Sequence, residues 1–208
     1  VSLLFDIGEV HRARYGRVKR VLDLVLAAAG AVVLVLLLPF VVVGNLVANR
    51  GPLFYTQRRV GKQGREFRIY KLRTMRAAFE GERTTWTAER DPRITPFGRL
   101  LRVSHLDELP QVLNILRGDL SVVGPRPEQP AYVAELSEKL PFYDLRHLVR
   151  PGLTGWAQVK YGYAGDERDA LEKLQYEFFY LRHQGLGLDL RIIGRTIRSI
   201  LGGEGAGR

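Results

Sequence analysis

LVLAAAGAVVLVLLLPFVVV, residues Leu24 to Val43, holds no charged side chain. It matches the ~20 apolar residues that one bilayer crossing takes. Arg12, Arg14, Arg17, Lys19 and Arg20 crowd ahead of it, and Arg50, Arg58, Arg59, Lys62 and Arg65 follow. Positive flanks stay cytosolic, so a straight crossing strands one cluster on the wrong side. A segment that enters and leaves by the same face removes the conflict. Pro39 supplies the bend, because it lacks an N–H and disrupts the helix ahead of it. The expected organisation is a basic juxtamembrane arm (1–20), a re-entrant membrane helix hairpin (21–48) and a catalytic domain (49–208) on the membrane surface. Asp23 is expected at headgroup depth, paired with Lys19 or Arg20.

Composition narrows the partners. The chain has 208 residues, 46% hydrophobic and 26% charged, enough for one modest core outside the apolar run. A net charge of +10 and a pI near 10.1 favour anionic partners: nucleic acid, anionic lipid or a phosphorylated substrate. The absence of cysteine excludes disulfides and thiolate chemistry. His11, His105, His147 and His183 lack zinc-ligand spacing. The apolar run is too long for a signal-peptide core and has no small-residue cleavage site before Arg50. The chain opens on Val1, so an upstream region is expected to have been removed.

The remaining pattern is α+β and mostly helical. Strands at 53–60 and 66–72, joined by Gly61-Lys62-Gln63-Gly64, read as a β-hairpin, with Phe67 and Ile69 alternating with Arg68 and Tyr70. Residues 76–96 read as a helix remnant and a long loop. Helical signal at 97–117 is interrupted from Ser104 to Pro110, and a strand at 120–123 enters Gly124-Pro125-Arg126-Pro127. Helices follow at 128–140 and 169–184, the latter with Leu171, Leu174, Phe178 and Leu181 on one face. In the last helix, 189–201, Leu190, Ile193, Ile197 and Ile200 oppose Arg191, Arg195 and Arg198. That amphipathic pattern suits a helix lying on an anionic bilayer, or one packed on the core with a solvated basic face.

Ser104-His105-Leu106-Asp107-Glu108-Leu109-Pro110-Gln111 is the strongest chemical signal. Pro110 belongs in the first turn of a helix running to Gly118, which puts Asp107 at or just before its N-terminus. There an ionised carboxylate is favoured and phosphate is welcome. Asp107 is either a nucleophile toward phosphorus or a plain N-cap; Glu108 is either a holder of a divalent cation or a first-turn acid. Gly124-Pro125-Arg126-Pro127 presents Arg126 from a stiff support, as a phosphate contact or an incidental turn arginine. In the stretch from His147 to Trp156, Arg150 precedes Pro151, while Trp156 reads as core and His147 as structural. Lys71 and Arg73 are basic groups at the hairpin's end, for ligand or for solvent.

Seven segments in order resemble the bacterial sugar transferases, the monotopic phosphoglycosyl transferases. They are Lys19-Arg20-Val21-Leu22-Asp23; Phe54-Tyr55-Thr56-Gln57-Arg58-Arg59-Val60-Gly61; Tyr70-Lys71-Leu72-Arg73-Thr74-Met75; Leu106-Asp107-Glu108-Leu109-Pro110-Gln111; Asn114-Ile115-Leu116-Arg117-Gly118-Asp119-Leu120-Ser121; Gly124-Pro125-Arg126-Pro127; and Arg146-His147 through Gly155-Trp156-Ala157-Gln158-Val159. Together they cover the chain from about Lys19 to Leu201. The resemblance implies a re-entrant membrane helix, a helix-associated β-hairpin and surface helices on the cytoplasmic face of the bacterial inner membrane. It implies that Asp107 attacks the β-phosphate of a UDP-sugar and expels UMP, and that the phosphosugar then passes to polyprenyl (undecaprenyl) phosphate. It also implies Mg²⁺ held by Glu108 and Asp107, with Lys71, Arg73, Arg126 and Arg150 as phosphate contacts, and a homodimer in the membrane plane.

Two departures stand out. The pair before the bend is Leu38-Pro39, where some members carry Ser-Pro, and Lys160-Tyr161-Gly162-Tyr163 follows Val159 where many carry Asn-Gly-Arg-Asn. Lys160 is expected to stand in for the lost arginine. This variant and the Leu3-Leu4-Phe5 arm resemble the exopolysaccharide-associated branch. The rival classes are a basic, membrane-anchored nucleic-acid-binding protein and a single-pass scaffold. Aromatic residues are not interleaved with Lys and Arg on one strand face as base stacking needs, so no nucleic-acid partner is expected. Sugar selection is expected from loops at 76–96 and 160–168.

Overall fold

A computed structural model describes residues 12–76, 91–161 and 167–202. Residues 1–11 of the expected arm, and 77–90 and 162–166 of the two expected specificity loops, lie outside the described residues.

The apolar run lies within one helix, α1 (Arg12–Ala48), which continues through Pro39. It is long and apolar enough to cross a membrane. The expected bend therefore does not divide the segment into two helices. A proline removes one helical hydrogen bond, and packing holds the turns on both sides, where Leu34 and Val41 are buried. Asp23, Ala27, Leu34, Val41, Asn45 and Asn49 form a buried stripe, while Val25, Val32, Val35, Leu36, Phe40, Val43 and Val47 are exposed. Recurrence every three or four residues makes this one helical face. The stripe contacts the rest of the protein along its whole length, and the opposite face is an apolar surface far larger than scattered exposed residues make.

Polar contacts tie both ends of α1 to that same body. Near the start, Tyr15 and Lys19 each donate to Asp189 Oδ2 at 2.8 Å. Arg20 donates to the carbonyls of Ile115 and Leu116 at 2.6 and 2.9 Å. Asp23 is not paired with Lys19 or Arg20 as expected. Its Oδ1 accepts from Ser121 Oγ and Val122 N, both at 3.0 Å, because a 2% exposed carboxylate needs donors close by. At the other end, Asn49 Nδ2 donates to Arg73 O at 2.7 Å and Asn45 Nδ2 to Gly51 O at 2.9 Å.

Strands β1 (Phe54–Val60) and β2 (Glu66–Leu72) pair antiparallel, from Phe54 with Leu72 to Val60 with Glu66. A 3-10 turn over Lys62–Gly64 joins them, with Gln63 and Gly64 at positive φ. Next come α2 (Pro96–Val103), a 3-10 helix over Leu106–Gln111, and α3 (Val112–Arg117). Thr95 caps α2 through a 2.9 Å bond from Gly98 N. Small residues let these elements reach α1: a Cβ on Gly30 would stand 2.8 Å from Val112 Cγ1. The core here gathers Ala27, Leu34, Ile69, Val112, Ile115 and Leu120, with Val41, Leu72 and Leu101 beside it.

Strand β3 (Ser121–Val123) pairs parallel with β4 (Gly152–Thr154). Between them run α4 (Pro130–Lys139) and a 3-10 helix over Tyr143–Leu148. The chain ends with α5 (Trp156–Lys160), α6 (Glu167–His183) and α7 (Leu186–Leu201). In α6 the buried face is Ala170, Leu174, Glu177 and Leu181, while the predicted Leu171 is exposed. In α7 the core contact is Ile192; Leu190, Ile197 and Ile200 are exposed. Of the predicted stripe, Ile193 packs against the core while the other three are exposed.

Candidate active site

Asp107 and Glu108 sit in the 3-10 helix, not at an α-helical N-terminus as expected. The Pro110 ring crowds the carbonyl before it, so the chain makes this tighter turn first and enters α3 only at Val112. His105, just before the turn, is held at φ 55°. The N-cap residue, His105, makes no side-chain capping bond.

Asn114 brings the hairpin to this turn. It is fully buried; its Nδ2 donates to Arg68 O at 2.7 Å and its Oδ1 accepts from Tyr70 N at 3.1 Å. One side-chain amide thus completes both backbone groups flanking residue 69. The docking delivers Lys71, whose Nζ lies 2.5 Å from Glu108 Oε1. From the other side, Arg126 Nη2 lies 4.0 Å from the same oxygen. A small pocket at this point is lined by Arg59, Lys71, Glu108, Gln111 and Arg126, with Gly152 and Leu153 of β4.

The two adjacent carboxylates are driven apart in acidity. Burial pushes Asp107 upward and the negative Glu108 pushes it further; Lys71 and Arg102 oppose, and the balance rests at about 6. Burial also pushes Glu108 upward, but Lys71 and Arg126 outweigh it and hold the group down at about 2. At neutral pH Glu108 is an anion clamped by two cations, while Asp107 is an anion without an equal clamp. Divergent acidity in neighbouring groups is a mark of sites that do chemistry.

The turn carrying Arg126 is anchored at each carbonyl from Pro125 to Glu128. Pro125 O accepts from Gly152 N at 2.8 Å and Glu128 O from Val60 N at 2.9 Å. Arg126 O accepts from Arg146 Nη2 at 2.7 Å, and Pro127 O from Arg59 Nη1 at 3.2 Å.

The other expected contacts lie elsewhere. Arg73 donates to the carbonyls of Pro52, Met75 and Asn49, stapling the end of α1 to the hairpin; this leaves it beside the chain rather than beside Glu108. Arg150 Nε donates to Gly118 O at 2.9 Å, closing the C-terminus of α3. It lines a separate cavity of about 550 Å³ with Lys19, Arg20, Lys62 and Ser121. Lys160 Nζ lies 5.1 Å from the centre of the Trp156 ring, a cation–π contact. Trp156 is itself stacked on Phe179 and covered by Arg195 as well. His147 is structural: burial, then Arg146, lowers it to about 4, so it is neutral.

Sequence reasoning missed Arg59, Gln111, Asn114, Arg146 and Glu177. Asn114 left a trace, as a polar residue inside the apolar run Val112 to Leu116. Among the described residues, no three His, Cys, Asp or Glu side chains gather as a metal cage. Asp107 and Glu108 still offer hard carboxylate oxygens side by side. That fits Mg²⁺, which takes one or two carboxylates and completes its shell with water and substrate phosphate.

Over 194 residues the chain is 44% identical to a UDP-N-acetylgalactosamine-undecaprenyl-phosphate N-acetylgalactosaminephosphotransferase of Aeromonas hydrophila, covering 92% of this chain and 45% of that protein. Over 200 residues it is 41% identical to a UDP-glucose:undecaprenyl-phosphate glucose-1-phosphate transferase of Xanthomonas campestris, covering 94% and 41%. A protein of the same description from Caulobacter vibrioides is 39% identical, covering 93% and 73%. The chain thus spans less than half the length of the first two relatives. The family model described as bacterial sugar transferase matches residues 14–203, and the chain belongs to that family.

Proposed function

We propose that this chain transfers a phosphosugar from a UDP-sugar to undecaprenyl phosphate at a membrane surface, through a covalent intermediate on Asp107. The observation that carries this reading is the divergence of the carboxylate pair. Glu108 stays ionised at about 2 under Lys71 and Arg126, while Asp107 rests at about 6. The relatives' names supply the substrate class: UDP-sugars and undecaprenyl phosphate.

In the first half-reaction an Asp107 oxygen forms a bond to the β-phosphorus. The bond from that phosphorus to the oxygen bridging the two phosphates breaks, and the electron pair leaves with UMP. In the second, an oxygen of the lipid phosphate attacks the same phosphorus and the Asp107 carboxylate departs. The product is polyprenyl-diphosphate sugar. Lys71 and Arg126 supply positive charge to the phosphoryl oxygens, and Arg59 lines the same pocket. Phosphoryl transfer asks mainly for such positioning and charge neutralisation. When bound by Glu108 and Asp107, Mg²⁺ would neutralise further diphosphate charge.

The re-entrant placement of α1 is part of this proposal. Asp189 holds its start and Arg73 its end on one body, so both ends belong on one side of the bilayer. The uncovered apolar face is what enters the lipid. In this proposal that side is the cytoplasmic face. The experiment is UMP release from a panel of UDP-sugars with undecaprenyl phosphate and Mg²⁺ present. Release that needs Asp107 supports the reading; no release with any donor overturns it.

A further inference from the structure

We infer that Glu177 is a positioning residue for Arg126, acting through Arg146. The inference rests on the role given to Arg126 above. Arg146 and Glu177 are each 3% exposed and stand 2.8 Å apart. The Arg146 nitrogen that meets Glu177 Oε1, Nη2, is also the one that donates to Arg126 O at 2.7 Å. Its Nη1 donates to Tyr143 Oη at 2.6 Å. Glu177 and Tyr143 therefore fix the plane of the guanidinium, and that plane aims one donor at the backbone of the arginine facing Glu108.

The turn cannot absorb a shift by rotating. Pro125 and Pro127 lock φ on either side of Arg126. With the other carbonyls held by Gly152, Arg59 and Val60, the Arg146 contact supports the backbone of the arginine itself. Charge leads to the same conclusion. Arg59, Arg126 and Arg146 converge on this turn, and Glu128 balances Arg59 at 3.7 Å and Lys173 at 2.8 Å. Glu177 is the carboxylate in contact with Arg146. Neutralising it leaves a buried cation poorly compensated, free to be drawn toward Glu128 and away from Arg126 O. Glu177 lies on α6, far along the chain from the site, and nothing in its local sequence marks it.

A double-mutant cycle tests the inference. UMP release, as kcat/KM normalised to folded protein, is measured for Arg126→Gln, Glu177→Gln and the pair. A misplacement of about 1 Å caused far from the chemistry can cost about 10²-fold; Glu177→Gln is expected to lose about 10–100-fold, with Glu177→Asp recovering most of it. In the pair, Glu177→Gln is expected to add no more than about twofold to the Arg126→Gln loss, since coupled residues are non-additive. Arg146→Lys gives a second cycle: it keeps a cation for Glu177 but cannot present the guanidinium fork, and it decides the matter if Glu177→Gln does not fold. Calorimetric binding of UDP gives the same coupling without turnover, so a failed reaction assay and a failed inference are distinguishable. Multiplying losses in both cycles would overturn the inference, as would Glu177→Gln and Arg146→Lys enzymes of full activity. A purely structural ion pair would lower the thermal midpoint and leave kcat/KM of the folded fraction unchanged.

Discussion

Lys71 Nζ stands 2.5 Å from Glu108 Oε1, joining the end of strand β2 to the carboxylate pair. The contact exists because Asn114 completes the hydrogen bonds of β2 on either side of Ile69. One ion pair thus couples hairpin docking to the acidity of both acids. Replacing Lys71 by Met is expected to lower kcat for UMP release by about 10²–10³, the scale for removing one preorganised charge-stabilising donor. Because Lys71 lowers both Asp107 and Glu108, the acid limb of the pH profile should also move upward. Activity against pH, wild type beside variant, checks both effects.

In the wild type, the nucleophile must be ionised. With Asp107 at about 6, the rate of the first half-reaction should rise through pH 6 and level off above it. Glu108, at about 2, contributes no limb in the accessible range. Single-turnover UMP release between pH 5 and 8 measures this.

Stability should move oppositely at the two acids. Asp107 binds its proton more tightly folded than unfolded, so between its ordinary 3.8 and about 6 the folded state holds more protons and stability falls as pH rises. Asp107→Asn should therefore raise stability at pH 8, by about 1–3 kcal/mol. Glu108 is the reverse: its lowered pKa adds stability that is present above its ordinary 4.5 and lost as pH falls toward about 2. Glu108→Gln should destabilise at pH 8, leaving Lys71 without its counter-ion. Thermal unfolding of the two variants in detergent compares the signs.

Asp23 predicts the strength of the link between α1 and the domain. Its carboxylate satisfies Ser121 and Val122 N at 3.0 Å. Asp23→Ala leaves a buried backbone N–H unmet, at a cost of about 1–3 kcal/mol. A lower thermal midpoint, with faster hydrogen exchange at residues 121–123, is the expected outcome.

Local patterning made much of this protein legible. Period-2 alternation placed the hairpin to within a residue, and the Pro110 signal located the break before α3. Asp107, Glu108, Lys71 and Arg126 were all visible as chemistry-bearing residues in short motifs. Arg73, Arg150 and Lys160 looked alike by the same criteria, and the structure gives each a partner within the chain. Arginine near a turn suits a phosphate or a backbone carbonyl equally, and the carbonyls that hold Arg73 and Arg150 come from distant segments. Asp23 was misplaced for a related reason: its partners are 98 and 99 residues away. Arg146 stood out only as part of a family-like segment and Glu177 carries no local signature at all, because their pairing exists only once α6 packs on the second 3-10 helix.

The central claim is a covalent bond at Asp107, and intact-protein mass spectrometry reads it directly. Enzyme incubated with its UDP-sugar and Mg²⁺, without the lipid acceptor, should gain the mass of one phosphosugar. Asp107→Asn should gain nothing, and undecaprenyl phosphate should discharge the wild-type adduct. An enzyme that turns over yet never acquires that mass, or acquires it undiminished in Asp107→Asn, would contradict the account.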